Sequence, residues 1–275
     1  MSAILSKLQT YLSAAGALRS PNLKGFPFFP KKPAHRFPYN RESYNQFLIW
    51  FRRIGLPDSR LILDVGANHG DFASAASAFY PKSKVWLFEP LSQLHAELRL
   101  RSQAHEDRWR LFPQALGAER AALQLHIDPL HDDVASLVGF HDTYLTNNPK
   151  AEYVPGKAPD EIKKRRAEIQ SCEVIPLDDL AGEFPEEKID LLKIDVEGFE
   201  FEALAGATKT LKRTQAAIIE VSLVRAGDRD GSRLIRMLDL LENAGLTALE
   251  ILPYWFSKTE PWLPMEFNIL ARRSD

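Results

Sequence analysis

The sequence predicts an α/β fold: a doubly wound, mostly parallel sheet with helices on both faces, a final antiparallel strand and an N-terminal helical and extended arm. Three observations carry that expectation. From Leu61 onward, short apolar runs alternate with amphipathic helical stretches. The first run, LILDV, enters the turn Gly66-Ala67-Asn68-His69-Gly70 and then a helix, which turns backbone N–H groups toward a ligand's polar atoms. Near the end, Ala248–Leu252 and Phe267–Ala271 leave no room for a helix between them, so they form a hairpin and the last strand reverses.

The composition agrees. With 275 residues, 45% hydrophobic and 26% charged, the chain suits one globular body with an appended arm. A net charge of −2 gives no hint of nucleic-acid binding, but the charge is uneven. Residues 1–41 hold Lys7, Arg19, Lys24, Lys31, Lys32, Arg36 and Arg41 with no acid before Glu42, while the remainder sets 28 basic against 37 acidic side chains. Such an arm suits weak contact with an anionic surface, or is a solvated tail. The single cysteine, Cys172, excludes an intramolecular disulfide and a cysteine-rich zinc site, and reads as a small apolar residue entering a strand. No run approaches the roughly 18 apolar residues of a membrane span. Lys7 and Gln9 interrupt the opening stretch, which makes it a poor secretory signal. A cytoplasmic setting is expected.

Element by element, five prolines among residues 21–40 predict an extended connector. A helix over Arg41–Ile54 follows and is stopped by Gly55 and Pro57. Residues 1–55 therefore read as a basic arm with its helix, and residues 56–275 as the main domain. Leu61–Val65 is the first strand and Asp71–Phe79 its helix; Lys84–Phe88 and a helix from Leu91 to about Gln103 repeat the unit. Trp109–Leu116 is a third strand, with Ala121–Ile127 as a hairpin partner. Residues 128–171 break the rhythm. They are polar and include a charged helical stretch, DEIKKRRAEI, and such a segment is either a cover for an acceptor site or a disordered insertion. Strands resume at Glu173–Leu177 and Ile189–Ile194. A helix from Phe199 to Lys212, the strand Ala216–Val221, the helix Arg233–Ala244 and the hairpin complete the series.

Ligands of open α/β sheets bind at the carboxyl ends of the parallel strands. Here those ends deliver acids: Asp64 before the glycine turn, Glu89 in Phe88-Glu89-Pro90, Asp195 and Glu197 after Ile194, and Glu220 in the strand from Ala216. A glycine turn with an acid about 20 residues later fits a dinucleotide or S-adenosyl-L-methionine, the acid taking the ribose hydroxyls. Asn68 stands where the second glycine of a dinucleotide turn belongs. Asp64 puts negative charge beside the turn, which opposes a pyrophosphate and suits a sulfonium or ammonium group. The residues favour S-adenosylmethionine over NAD.

LDVGANHGDF, the FEP of Phe88–Pro90, the QALG of Gln114–Gly117, the IPLDDL of Ile175–Leu180, the DLLKIDVEGFE of Asp190–Glu200 and the IIEV of Ile218–Val221 occur in one order. That series resembles the FkbM-type S-adenosylmethionine-dependent methyltransferases over about Leu61 to Val221. The resemblance implies a class I, Rossmann-like methyltransferase fold with a seven-stranded sheet, and methylation of a hydroxyl on a sugar, glycan or natural product. It assigns Asp64, Gly66, Ala67, Asn68 and Gly70 to the methionine part of the cofactor. Glu89 with Pro90 goes to the ribose, Gln114 and Ala115 to the adenine, and Asp195 to the bottom of the site.

An aliphatic hydroxyl barely ionises at neutral pH, so a base should act as the methyl bond forms. Asp195 and Glu197 are the candidates, followed by Glu220 and His69. Asp195, Glu197 and Glu220 also offer oxygen ligands of the kind magnesium accepts. No histidine pair or fixed spacing supports a metal, so none is expected. Lys193, inside an apolar strand, receives no catalytic role, and Asp178 or Asp179 reads as a helix cap. The partner is expected to be a small-molecule or glycan acceptor rather than nucleic acid: the body is acidic and no NPPY-like segment for a flipped base is present. A cofactor-binding or partner-recognition protein that keeps the fold without catalysis is the alternative.

Overall fold

The computed structural model describes residues 41–105, 108–128, 131–138, 168–222, 232–256 and 264–273. The expectations for the arm before Arg41 and for the KKRR run at 163–166 lie outside the described residues. In chain order the elements are α1 (Arg41–Ile54), β1 (Leu61–Val65), α2 (Asp71–Phe79), β2 (Lys84–Phe88), and α3 (His95–Ala104), which a single 3₁₀ turn at Ser92–Leu94 introduces. There follow β3 (Trp109–Phe112), β4 (Ala115–Leu116), β5 (Ala121–Asp128), β6 (His131–Ser136), β7 (Glu168–Ile175) and β8 (Ile189–Ile194). The chain then forms α4 (Glu200–Ala205), α5 (Thr208–Leu211), β9 (Thr214–Ser222), α6 (Ser232–Asn243), β10 (Leu246–Phe256) and β11 (Pro264–Arg273).

Seven strands make the main sheet, in the order β3-β2-β1-β8-β9-β11-β10. All its pairs are parallel except those of β11, which runs antiparallel to both β9 and β10. Strands buried on both faces need apolar residues on both, and period-two alternation sends them to opposite sides. Leu61, Leu63 and Val65 join Ile194, Ile219 and the α4–α6 residues Leu204, Leu211 and Met237. Ile62 joins Leu191, Ile218 and the α1–α3 residues Phe51, Phe72 and Leu98. The doubly wound sheet, its class and its antiparallel last strand are as the sequence implies. The last strand also slides between β9 and β10 instead of extending the edge.

Three differences from the sequence reading have physical causes. The third strand divides at Pro113, and the short β4 leaves the main sheet for a second one, ordered β4-β7-β5-β6. Residues 128–171 therefore contribute ordered strand at both ends: β6 and the start of β7 are antiparallel neighbours of β5. The stretch from Phe199 to Lys212 is two short helices, because the chain must pass close to the second sheet at their junction. A Cβ on Gly206 would lie 1.9 Å from the carbonyl oxygen of Gly117. Asp178 then caps the second of these helices from outside, accepting the N–H groups of Lys209 at 2.9 Å and Thr210 at 2.8 Å.

The helix α1 is part of the body. Leu48, Trp50, Phe51 and Ile54 are buried, and Phe51 packs edge-on to Phe72 of α2. Arg272 of β11 reaches back to accept the end of α1, donating to the Ile54 carbonyl at 2.9 Å.

Candidate functional site

The carboxyl ends of β1, β2, β8 and β9 meet at one edge, and each loop there is held by its neighbour. After β1, Gly66 takes φ 75°, Asn68 φ 48° and Gly70 φ 80°. Asn68 is one of two non-glycine residues with positive φ among those described; the other is Glu197, in the loop after β8. Left-handed backbone at a non-glycine residue is strained and concentrates at functional sites. Gly66 has a second constraint. A Cβ there would fall 1.8 Å from the Asp195 carbonyl oxygen, so the loops after β1 and β8, the first and the third, touch backbone to backbone.

Lys193 occupies the centre of this contact. Its ammonium donates to the Gly66 carbonyl at 2.7 Å and lies 3.2 Å from Asp195 and 3.4 Å from Asp64. The register places it beside Asp64, Asp64 pairing with Lys193 across β1 and β8. Burial alone would discharge such a lysine, but Asp195 and Asp64 outweigh it and hold its pKa above the ordinary value. Asp64 is fully enclosed, and burial raises its pKa to about 6 against the pull of Lys193. Asp64, expected at the methionine end of the cofactor, lies beneath the turn with no exposed surface, its carboxylate against Lys193.

Glu89, at the end of β2, accepts the Asn68 N–H at 2.7 Å and the Leu91 N–H at 2.9 Å. Burial pushes its pKa to about 7, and those two N–H groups partly offset the rise. It thus ties the first loop to the second while keeping carboxylate lone pairs for a further donor. Pro90 is half-buried beside it. Ala67 packs inward. Gln114 follows β3 and donates to Glu173 at 3.1 Å, with Ala115 buried in β4. The His69 Nδ1 meets Glu97 at 2.9 Å, and Arg101 binds both Glu97 and Asp71.

Asp195 and Glu197 lie in the third loop. Asp195 is 37% exposed at its side chain, open enough to meet a substrate. One carboxylate oxygen each of Asp195, Glu197 and Glu220 lies within 4.8 Å of the others. Glu220 stands beside Asn268 in the register of β9 and β11 and is hydrogen-bonded to Asp195. Burial first, and then the charges of Asp195 and Glu266, drive its pKa well above the usual range. Lys193 sits on Asp195, so of the two adjacent carboxyls Glu220 is the one pushed toward its protonated form.

Glu200 and Gln170 escaped the sequence reading, whereas Ser136 belongs to the segment read as a cover for an acceptor site. Glu200 accepts the N–H groups of Gly198 at 2.8 Å and Val196 at 3.3 Å, anchoring the third loop from below. The second sheet grips the same edge from above. Ser136 of β6 donates to the Glu197 carbonyl at 2.7 Å, and Gln170 of β7 bonds the loop after Glu89. Their signal was weak: a polar residue on the inward face of an otherwise unremarkable strand.

Glu200 supplies a pH test. Burial raises its pKa from 4.5 to about 7, so the folded state holds a proton that the unfolded chain has already released between those values. Stability from this group is therefore present below pH 4.5 and lost as pH rises to 7. Glu200→Gln, which keeps an acceptor for both N–H groups, should be more stable than the parent at pH 8 by on the order of 3 kcal/mol and equal to it near pH 4.5. Denaturant unfolding at several pH values checks this; a gap independent of pH would refute it.

A protein-family comparison finds the FkbM methyltransferase domain over residues 64–246. Among curated proteins, the chain is 28% identical over 206 residues to the AMB antimetabolite synthetase AmbE of Pseudomonas aeruginosa, covering 70% of this chain and 10% of that protein. It is 29% identical over 167 residues to the 2-O-methyltransferase NoeI of Sinorhizobium fredii, covering 59% and 63%. It is 26% identical over 220 residues to Methyltransferase 1 of Beauveria bassiana, covering 79% and 83%. The chain thus spans a tenth of AmbE and under two thirds of NoeI. Among solved structures, Aeropyrum pernix fibrillarin with natively bound S-adenosyl-L-methionine is similar at 12% identity and a TM-score of 0.43, over 83% of this chain and 76% of that one. At this edge Asp64, Asp195 and Glu89 surround Lys193, and Glu197 lies beside Asp195, an excess of acid that suits the sulfonium and ammonium groups of S-adenosylmethionine. The chain belongs to the FkbM methyltransferase family, and its methyl donor is S-adenosylmethionine.

Proposed function

We propose that the protein is an O-methyltransferase acting on a hydroxyl of a sugar, glycan or other small natural product, with Asp195 as the base. The carrying observation is the Lys193–Asp195–Glu220 row at the open end of the sheet. The bound cofactor supplies a methyl group on positive sulfur, an electrophile that needs no further activation. The chain's task is to align the hydroxyl and take its proton. Lys193 holds Asp195 in place, and Glu220, pushed toward its neutral form, leaves Asp195 as the member of the pair that accepts. Glu197, set by its strained backbone and by Ser136, would orient the acceptor. Glu89 with Pro90 would hold the ribose, Gln114 and Ala115 border the adenine, and the turn Gly66–Gly70 face the methionine end.

The printed name of the Sinorhizobium relative, a 2-O-methyltransferase, supports oxygen as the acceptor atom. No helix among the described residues is long and apolar enough to cross a membrane, and a cytoplasmic setting belongs to the same proposal. The test is a labelled-methyl screen over free sugars, oligosaccharides and hydroxylated metabolites, followed by location of the label. An O-methyl ether is the expected product; label on nitrogen or carbon overturns the reading. In the same preparation S-adenosylhomocysteine should raise the melting temperature by several degrees, because a ligand that binds only the folded state stabilises it. A flat response at millimolar ligand would contradict the cofactor site drawn here.

A further inference from the structure

We infer that Gln170, on the second sheet, is a positioning residue for the ribose-binding end of the cofactor site. The inference rests on the assignment of Glu89 to the ribose hydroxyls. On β7, Gln170 shares its face with Cys172 and Val174, both buried, so it is the polar member of an inward apolar row. Its amide spends both ends on one short stretch of chain. Nε2 donates to the Pro90 carbonyl at 2.6 Å, while Oε1 accepts the Ser92 N–H at 3.1 Å and the Ser92 hydroxyl at 2.7 Å. The orientation of the amide is not a matter of choice. A proline carbonyl can only accept and a backbone N–H can only donate, so a flipped side chain would lose both.

These bonds fall on either side of the N–H that Glu89 itself uses, that of Leu91. The His95 ring nitrogen Nε2 closes the set at 2.7 Å from the Glu89 carbonyl oxygen. The Glu89 carboxylate is thereby aimed from a loop whose backbone is fixed at residues 89, 90, 91 and 92, and two of those four points belong to Gln170. Nothing in β2 or α3 replaces them. The second sheet, which shares no strand pairing with the main one among the described residues, is in this way built into the cofactor site.

A loop that sets the direction of one carboxylate should affect the hydroxyl it binds more than the rest of the ligand. The experiment is titration calorimetry of the full chain with two probes, S-adenosylhomocysteine and its 2′-deoxy analogue. In the parent, loss of the hydroxyl should weaken binding about ten-fold, as for a hydrogen bond to a charged acceptor. In Gln170→Ala and in the near-isosteric Gln170→Met, binding of S-adenosylhomocysteine should fall about ten-fold and the ratio between the probes should shrink toward one. Ile169→Ala, an outward neighbour that is 57% exposed, should keep the parental ratio. A Gln170 variant with a lowered melting temperature but an unchanged ratio overturns the inference, since a merely structural residue weakens both probes alike. A parent that binds S-adenosylhomocysteine with no preference for the hydroxyl overturns the Glu89 assignment, and this inference with it. A parent that does not bind at all refutes the cofactor site itself.

Discussion

Asp195→Asn should lower the rate of methyl transfer by about 10²–10⁴-fold, the span typical for loss of a positioned base, while binding of S-adenosylhomocysteine changes little. The asymmetry follows from the geometry. Asp195 stands between buried Lys193 and Glu220 with 37% of its side chain exposed, and its amide counterpart keeps the shape and the backbone contact from the residue 195 N–H to the Val65 carbonyl. What the substitution removes is the proton-accepting charge. It also leaves Lys193 with one fewer counter-charge, so Asp64 must carry it alone. Single-turnover rates beside calorimetric affinities separate the two effects. Equal losses in both would make Asp195 a binding residue only. Glu220→Gln should act in the same direction but less, because burial and its acidic neighbours already push Glu220 toward its neutral form.

Gly66→Ala should remove cofactor binding and destabilise the fold by about 4 kcal/mol or more, the size reserved for steric and strained-backbone substitutions. Two costs coincide at this position. Its φ of 75° disfavours any side chain, and the new methyl would sit 1.8 Å from the Asp195 carbonyl oxygen, which belongs to backbone and cannot swing aside. Gly182→Ala is the matched control, since no atom lies within 4 Å of its would-be Cβ. It should unfold within about 0.5 kcal/mol of the parent, as surface substitutions usually do. Similar losses in the two variants would remove the close approach as the explanation.

The contrast between those glycines also shows what the sequence could disclose. The turn at Gly66–Gly70 was legible because a buried strand, two glycines and a helix start have few alternative arrangements. The C-terminal end of α1 was legible because Gly55 and Pro57 punctuate it. Lys193 was visible only as an anomaly: its partners lie on β1 and in the third loop, and pairing across strands is not written along the chain. The second sheet was hidden for a related reason. Its strands β5 and β7 alternate weakly, with Gln170 on the face that elsewhere holds Cys172 and with Ile127 and Asp128 both buried in succession, so neither period nor composition announces them. Spatial order was the least accessible. Both β10 and β11 are readable as a hairpin, yet only the pairing of Glu220 with Asn268 shows that the hairpin enters the sheet by its second strand.

That order of entry governs how the molecule can be assembled. The strand β11 pairs with β9 over Ala216–Ser222, and its Arg272 side chain caps a helix 218 positions earlier in the chain. Until β11 has left the ribosome, β9 presents an unpaired edge at the heart of the future sheet, and β10 has no neighbour to lie against. Closing such distant pairs carries the loop-entropy burden that slows non-local topologies. A nascent chain stalled before Pro264 would therefore expose an adhesive edge beside the acids of the active site, and chaperone dependence during synthesis is the corresponding expectation.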